Sequence, residues 1–259
     1  MSLVQLELDD SGAPVWLLRL SRPEALNALS RDLLQELEGH LTLAARADLR
    51  ALVITGSGKA FCAGADLKER RNMPEAEVMS FLSWVGDLFG QLEELPCPTI
   101  AAINGLALGG GLELALCCDL RVALESAFLA LPETSLGIIP GAGGTQRLPR
   151  IIGSARASQM ILTARRLSAR EALDWGLVNE VYPDTEIESF YFDLARQIAN
   201  CAPIAIRQAR RAIREGLNLP LKDGLVRERY LYEATLGTED RREALQAFQE
   251  KRKPVFKGR

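Results

Sequence analysis

Histidine is almost absent: His40 is the only one in 259 residues. A zinc centre built on two or three histidines therefore cannot form within one chain. Ser–His or Cys–His nucleophilic catalysis has to run through His40 or not at all. His40 stands among Leu37, Leu41 and Leu43 on a stretch with helical apolar spacing, where a structural or solvent-facing role is the plain reading. If the chain is an enzyme, its acid–base groups are carboxylates, Lys or Tyr. An excess of positive charge is missing as well. The 31 Lys and Arg face 34 Asp and Glu, a net charge of -3, which excludes a strongly basic nucleic-acid surface as the principal feature. The five cysteines, Cys62, Cys97, Cys117, Cys118 and Cys201, are odd in number and form no C-x-x-C. Reduced thiols in a cytosolic or organelle-matrix compartment follow.

Neither a signal or transit peptide nor a membrane span is expected in these residues. The start, MSLVQLELDDSG, has no apolar h-region and is not Arg-rich. Residues 95–118 (LPCPTIAAINGLALGGGLELALCC) carry one charge, Glu113, over a length that tests against a spanning helix. Pro96, Pro98, Asn104, the glycines and the glutamate fit a buried strand–turn–helix better. Phosphate motifs fail. Gly56-Ser57-Gly58-Lys59 lacks the spacing of a P-loop, and Gly141-Ala142-Gly143-Gly144 does not complete G-x-G-x-x-G because residue 146 is Gln. No G-x-S-x-G occurs.

What is present is strand–helix alternation. Val15–Leu20 reads as a strand, and Leu29, Leu33, Leu34, Leu37 and Leu41 repeat at helical spacing behind Ser30, a candidate N-cap. Further strands are expected at 49–55, 99–103, 120–124, 128–131 and 177–182. Helices are expected at 74–94 and 110–118. Ser168-Ala169-Arg170-Glu171 is a capping box, with Gly176 closing its helix. From about residue 186 to 252 the pattern is helical, broken at Ala202-Pro203, Leu219-Pro220 and Gly237. An α/β body with a helical appendage follows.

Two acids stand out. Glu113 is the only acid or base between Glu94 and Asp119 apart from cysteine, and Glu133 is the only charge between Glu125 and Arg147. If both are buried, desolvation raises their pKa toward neutrality, as a carboxyl acid–base pair requires. The plainer alternative is that each caps a helix or faces solvent. Gly109-Gly110-Gly111 precedes the Glu113 helix, and a similar turn lies at Cys62-Ala63-Gly64-Ala65-Asp66. Each could aim a backbone N–H at one developing oxyanion, or serve only as a packing turn. The last nine residues, KRKPVFKGR, carry five positive charges; they read as a solvated tail or as a contact to a phosphorylated ligand.

These residues resemble a known family, the crotonase or enoyl-CoA hydratase/isomerase superfamily. IAAINGLALGGGLELALCCDLRVA (100–123) matches its signature, flanked by FCAGADLKER (61–70) and PETSLGIIPGAGGTQRLPR (132–150). The resemblance runs from RPEALNALS (22–30) to FQEKRKPVFKG (248–258). Within the family, ADLKER, LALGGGLELAL and GGTQRLPR read most like the methylglutaconyl-CoA hydratase branch, also described as AU-rich-RNA-binding.

The resemblance implies an α/β fold: a crotonase-like spiral of ββα units over residues 1–190, then a helical C-terminal region, 191–259, that forms trimers or hexamers as dimers of trimers. It implies an acyl-CoA thioester substrate whose enolate is stabilised by the N–H groups of Ala65 and Gly110. Ala63, Ala65, Asp66, Leu67, Lys68 and Gly110 bind substrate, and Glu113 and Glu133 are the catalytic pair of a hydratase. No metal and no separate cofactor is implied, since coenzyme A is part of the substrate. Enoyl-CoA isomerisation and RNA binding are the rival functions. The branch's lysine-rich first helix is replaced here by ALNALSRDLLQELEGHLTLAARADLR, which has no Lys, so nucleic acid is not an expected partner. Glu24 stands where a Lys often follows the early proline, which removes a CoA contact. The compartment implied is a bacterial cytoplasm or, after removal of a presequence, a mitochondrial matrix.

Overall fold

The computed structural model describes residues 2–259. The chain begins with an antiparallel hairpin, β1 (Val4–Leu8) and β2 (Val15–Leu20). Helix α1 (Arg31–Ala44) follows. The Ser30 side chain caps it by accepting from the Leu33 N–H, and Leu33, Leu34, Leu37 and Leu41 are buried. The His40 Nε2 lies 3.2 Å from the Val4 carbonyl oxygen. The lone histidine thus fastens α1 to β1.

Three strand–strand–helix units come next. The first is β3 (Ala51–Gly56), β4 (Ala60–Cys62), α2 (Leu67–Arg71) and α3 (Glu75–Glu93). The second is β5 (Thr99–Ile103), β6 (Leu106–Leu108) and α4 (Gly110–Leu116). The third is β7 (Leu120–Leu124), β8 (Phe128–Ala130) and α5 (Gly144–Ile152). Then come α6 (Ser154–Leu162), β9 (Leu167–Ser168), α7 (Ala169–Asp174) and β10 (Glu180–Tyr182). The first strand of each unit joins a sheet of order β1-β2-β3-β5-β7-β10, and the second joins a sheet of order β4-β6-β8-β9. This is the expected ββα spiral.

Every residue of β3 and β5 is buried, as parallel strands covered on both faces require. Their side chains alternate between two cores. Leu52, Ile54, Ala101 and Ile103 pack with residues of α1, α3 and α4. Ala51, Val53, Ile100 and Ala102 pack with Phe190 and Ala195 of α8 (Ile187–Ala199). The expected boundary at 190/191 therefore falls inside a helix that covers the large sheet. The α/β body continues through α8, because α8 covers the apolar face of that strand layer.

The appendage comprises α9 (Pro203–Gly216), α10 (Leu221–Leu236) and α11 (Glu239–Glu250). Arg210 anchors it: its Nε donates to both carboxylate oxygens of Asp119 at 2.7 Å, and its Nη atoms donate to the carbonyls of Leu95 and Glu93.

The expected strand 177–182 shortens to β10, because Leu177 and Val178 give their N–H groups to the Ala172 carbonyl in α7, and only from Asn179, which donates to Arg121 of β7, does the chain run beside that strand. Strands β4 and β6 have three residues each, and residues 95–118 fold as β5, β6 and α4. Among the described residues no helix is long and apolar enough to cross a membrane.

Candidate active site

The site is built where β6 runs into α4. Gly109 turns the chain with φ 52° and ψ -125°, and its N–H donates to the Ala130 carbonyl at 2.9 Å. A Cβ at Gly109 would stand 2.7 Å from Glu133 Oε1. A Cβ at Gly111 would stand 2.1 Å from the Cys62 carbonyl oxygen. The glycines let α4 press its N-terminus against β4 and the turn that follows it.

That turn carries the second N–H. Gly64 has φ +93°, and a Cβ there would stand 2.6 Å from the Leu108 carbonyl and 3.2 Å from the Gly110 nitrogen. A Cβ at Gly110 would stand 3.7 Å from the Ala65 nitrogen. The N–H groups of Ala65 and Gly110 are therefore neighbours. Gly110 is the first residue of α4, where no intrahelical acceptor exists, and neither N–H donates to a protein acceptor among the described residues. The Ala65 turn is held from behind. Leu29 donates to the Gly64 carbonyl at 2.8 Å, and Asp66 donates back to the Leu29 carbonyl at 3.4 Å.

The other expected contacts divide by exposure. Ala63 is half-buried and gives its N–H to the Leu26 carbonyl; Leu67 and Lys68 are exposed at the start of α2. Asp66 is buried, with its carboxylate already engaged. It caps α2 by accepting from the N–H of Lys68 at 2.9 Å and of Glu69 at 3.4 Å, and it pairs with Arg22 at 2.6 Å. Its side chain supports the Ala65 turn and has no free oxygen aimed at a ligand. Glu24 is exposed, 3.8 Å from Arg22.

Glu113 and Glu133 are both buried, 3% and 8% exposed. Glu113 Oε1 accepts from the N–H groups of Ala142 and Gly144, each at 2.8 Å. Burial pushes its pKa up, while these two N–H groups and the Arg147 cation work in the opposite direction. Glu133 begins a 3-10 turn that ends at Leu136, and its Oε2 is buried without a partner. Burial raises its pKa to about 7, and the Glu113 charge adds to the rise. The two carboxyls thus sit in different environments: one cradled by N–H donors, one bare. Such a pair can hold a base and an acid together near neutral pH.

The loop that cradles Glu113 carries no motif that singles it out in the sequence. Its run of glycines, Gly141-Ala142-Gly143-Gly144, fails as a dinucleotide motif. Its signal is the one that the turns at Gly64 and Gly109 also carry, small residues that let backbone N–H groups converge. The basic tail folds back on α11: Arg252 pairs with Glu243 and Glu250, the N–H groups of Lys257 and Gly258 donate to Asp240, and Arg259 pairs with Glu239.

The family model for enoyl-CoA hydratase/isomerase matches residues 10–259. The enoyl-CoA isomerase/hydratase fer4 of Mycosarcoma maydis is 49% identical over 270 residues, covering 100% of this chain and 98% of its own. The mitochondrial methylglutaconyl-CoA hydratase of Mus musculus is 45% identical over 257 residues, covering 97% of this chain and 82% of its own. The crystal structure of an enoyl-CoA hydratase from Bacillus anthracis superposes with a TM-score of 0.96 at 48% identity, covering 99% of this chain and 100% of that one. Matches of this extent, on a spiral that brings two glutamates and two unpaired N–H groups together, place the chain in the enoyl-CoA hydratase/isomerase family.

Proposed function

We propose that the protein hydrates a 2-enoyl-CoA thioester to the 3-hydroxyacyl-CoA. The observation that carries this reading is the unequal surroundings of Glu113 and Glu133. A hydratase needs a base for water and an acid for carbon at once, and an isomerase needs only one well-placed base.

The thioester oxygen accepts from the N–H groups of Ala65 and Gly110, which draws electron density from C3. Glu113, whose N–H cradle favours the carboxylate against the pull of burial, takes a proton from water as the water oxygen bonds to C3. The C2=C3 π electrons move toward the thioester, giving an enolate whose oxygen is held by the two N–H groups. Glu133, protonated near neutrality, delivers a proton to C2. Water has then supplied hydroxide to C3 and a proton to Glu113, and proton exchange between the carboxyls restores the pair. The thioester is the electron sink, so no metal or separate cofactor takes part in this scheme.

The exposed apolar residues Ile213, Leu221, Val226, Tyr230 and Phe248 on α9, α10 and α11 support a homo-oligomer, a trimer or a hexamer built from trimers. Nucleic acid has no place in the reading. On α1 and its flanks Arg31 is paired with Glu77, and Asp32, Glu36 and Glu38 offset the arginines. Relatives from bacteria and mitochondria support a bacterial cytoplasm or mitochondrial matrix.

The test is loss of enoyl-thioester absorbance with short linear, long linear and 3-methylglutaconyl substrates, beside 3-enoyl-CoA isomerisation. Hydration of at least one 2-enoyl-CoA, faster than isomerisation, is expected. No hydration of any of them, or isomerisation as the dominant activity, overturns the reading.

A further inference from the structure

Glu113 is not oriented by its own helix. Its Oε1 is held from across the site by the loop before α5, through Ala142 N–H and Gly144 N–H. Pointing both N–H groups at one oxygen requires the chain to turn between them, and Gly143 does so with φ +103°. A loop with glycine at 141, 143 and 144 has wide backbone freedom. Its shape must be imposed from outside.

Arg147, in the first turn of α5, imposes it. Its Nη1 lies 1.8 Å from where a Cβ on Gly143 would stand, and donates to the Ala142 carbonyl at 2.8 Å. Ala142 is therefore gripped on both sides, by Glu113 at its N–H and by Arg147 at its carbonyl. The Arg147 Nε and Nη2 fork onto the Glu93 carboxylate at 2.7 and 2.8 Å. Glu93 is the last residue of α3, and the two side chains are 21% and 27% exposed. Bidentate, shielded pairs are the geometrically exacting kind. One guanidinium thus ties α3, α5 and the loop into a single body.

The structure assigns Arg147, held by Glu93, as a positioning residue for Glu113: it fixes the loop whose two N–H groups orient the water-activating carboxylate. This inference rests on the hydration reading above. The cation also favours the ionised form of Glu113. The charged and titratable groups around that carboxylate are Arg147 from α5, Glu133 from the turn after β8, and Cys117 just past the end of α4, with Glu93 facing Arg147.

The experiment measures hydration of a short 2-enoyl-CoA against pH for the wild type, Arg147→Gln, Arg147→Lys, Glu93→Gln and Glu113→Gln, with Tm for each. Arg147→Gln should lower kcat by ~10–10²-fold, the scale of a reacting group displaced by about 1 Å, with little change in KM. Its acid limb should move to higher pH, because ionised Glu113 loses support. Arg147→Lys keeps the charge without the fork: the limb should return and kcat should recover only in part. Glu93→Gln should lower kcat without raising the limb. A folded Arg147→Gln with wild-type kcat and acid limb, or a loss confined to KM, overturns the inference. If Arg147→Gln does not fold, unchanged kcat in Glu93→Gln overturns it. An inactive Glu113→Gln beside a wild-type-like Arg147→Gln removes the positioning role alone; a wild type that does not hydrate removes the hydration reading itself.

Discussion

Glu133 and Gly109 are locked in one packing decision: the Glu133 Oε1 lies 2.7 Å from the place a Cβ on Gly109 would take. Glu133 and the Gly109 turn cannot be altered independently. Gly109→Ala introduces that Cβ and imposes an alanine on φ 52°, ψ -125°, a strained region for any L side chain. The expected result is a folded protein destabilised by about 1–3 kcal/mol, with Glu133 displaced and kcat down by ~10²-fold or more. Steady-state hydration kinetics and thermal unfolding check it. Unchanged kcat in Gly109→Ala removes this contact from the catalytic geometry.

Gly110→Pro separates the oxyanion role proposed for the Gly110 N–H from the residue's place in the fold. Gly110 is the first residue of α4, a position that accepts proline without loss of a helical hydrogen bond. The new Cβ comes closest to the Leu29 Cδ1, at 3.1 Å, the far end of a flexible side chain, and stands at ordinary contact distance, 3.7 and 3.8 Å, from the Ala65 nitrogen and the Gly64 Cα. The loss should be chemical: kcat lower by ~10²–10³-fold, as for removal of one oxyanion donor. Near-native turnover in a folded variant would take Gly110 out of the oxyanion role.

The sequence made these positions legible because burial and charge oppose each other. Glu113 and Glu133 stand alone in apolar stretches, and only a function or a cap keeps a carboxylate there. The parallel strands β3, β5 and β7 were equally readable as short apolar runs. Strands β4 and β6 were not: three residues next to a glycine turn carry no periodicity, and only pairing with the neighbouring unit makes them strands. Asp66 has a structural role that its position in the sequence does not reveal. It lies in the turn that binds substrate in the resemblance, yet its carboxylate is spent on the cap of α2 and on Arg22. Arg147 and Glu93 are 54 residues apart, and no local pattern links them.

Val226 and Tyr230 occupy the exposed side of α10, at 60% and 63% exposure. In the proposed trimer such residues are covered, so Val226→Asp with Tyr230→Asp should shift the protein from oligomer toward monomer at micromolar concentration. Sedimentation of the wild type and the double variant reads this directly. A wild-type monomer contradicts the trimer, and an unshifted double variant places the interface elsewhere.

Glu133→Gln tests function and stability together, with opposite signs. Loss of the acid should lower kcat by ~10²–10⁴-fold. Near-native hydration would remove Glu133 from the mechanism. The folded pKa of Glu133 is raised to about 7 from an ordinary 4.5. The folded state therefore holds the proton more tightly than the unfolded chain, and its stability falls as pH rises from the lower value through the higher. Above that window the wild type carries a buried charge that the glutamine variant lacks. Allowing for water that reaches the site, the variant should be more stable at alkaline pH by on the order of 1–2 kcal/mol, a Tm rise of roughly 2–6 °C for a chain of this size. Below the window both side chains are neutral and the two Tm values should converge. In wild-type kinetics the same proton should give a basic limb near neutrality, absent from the residual activity of the variant. Equal Tm values at alkaline pH would mean that Glu133 is not held protonated by its surroundings, and the acid would have to be sought elsewhere.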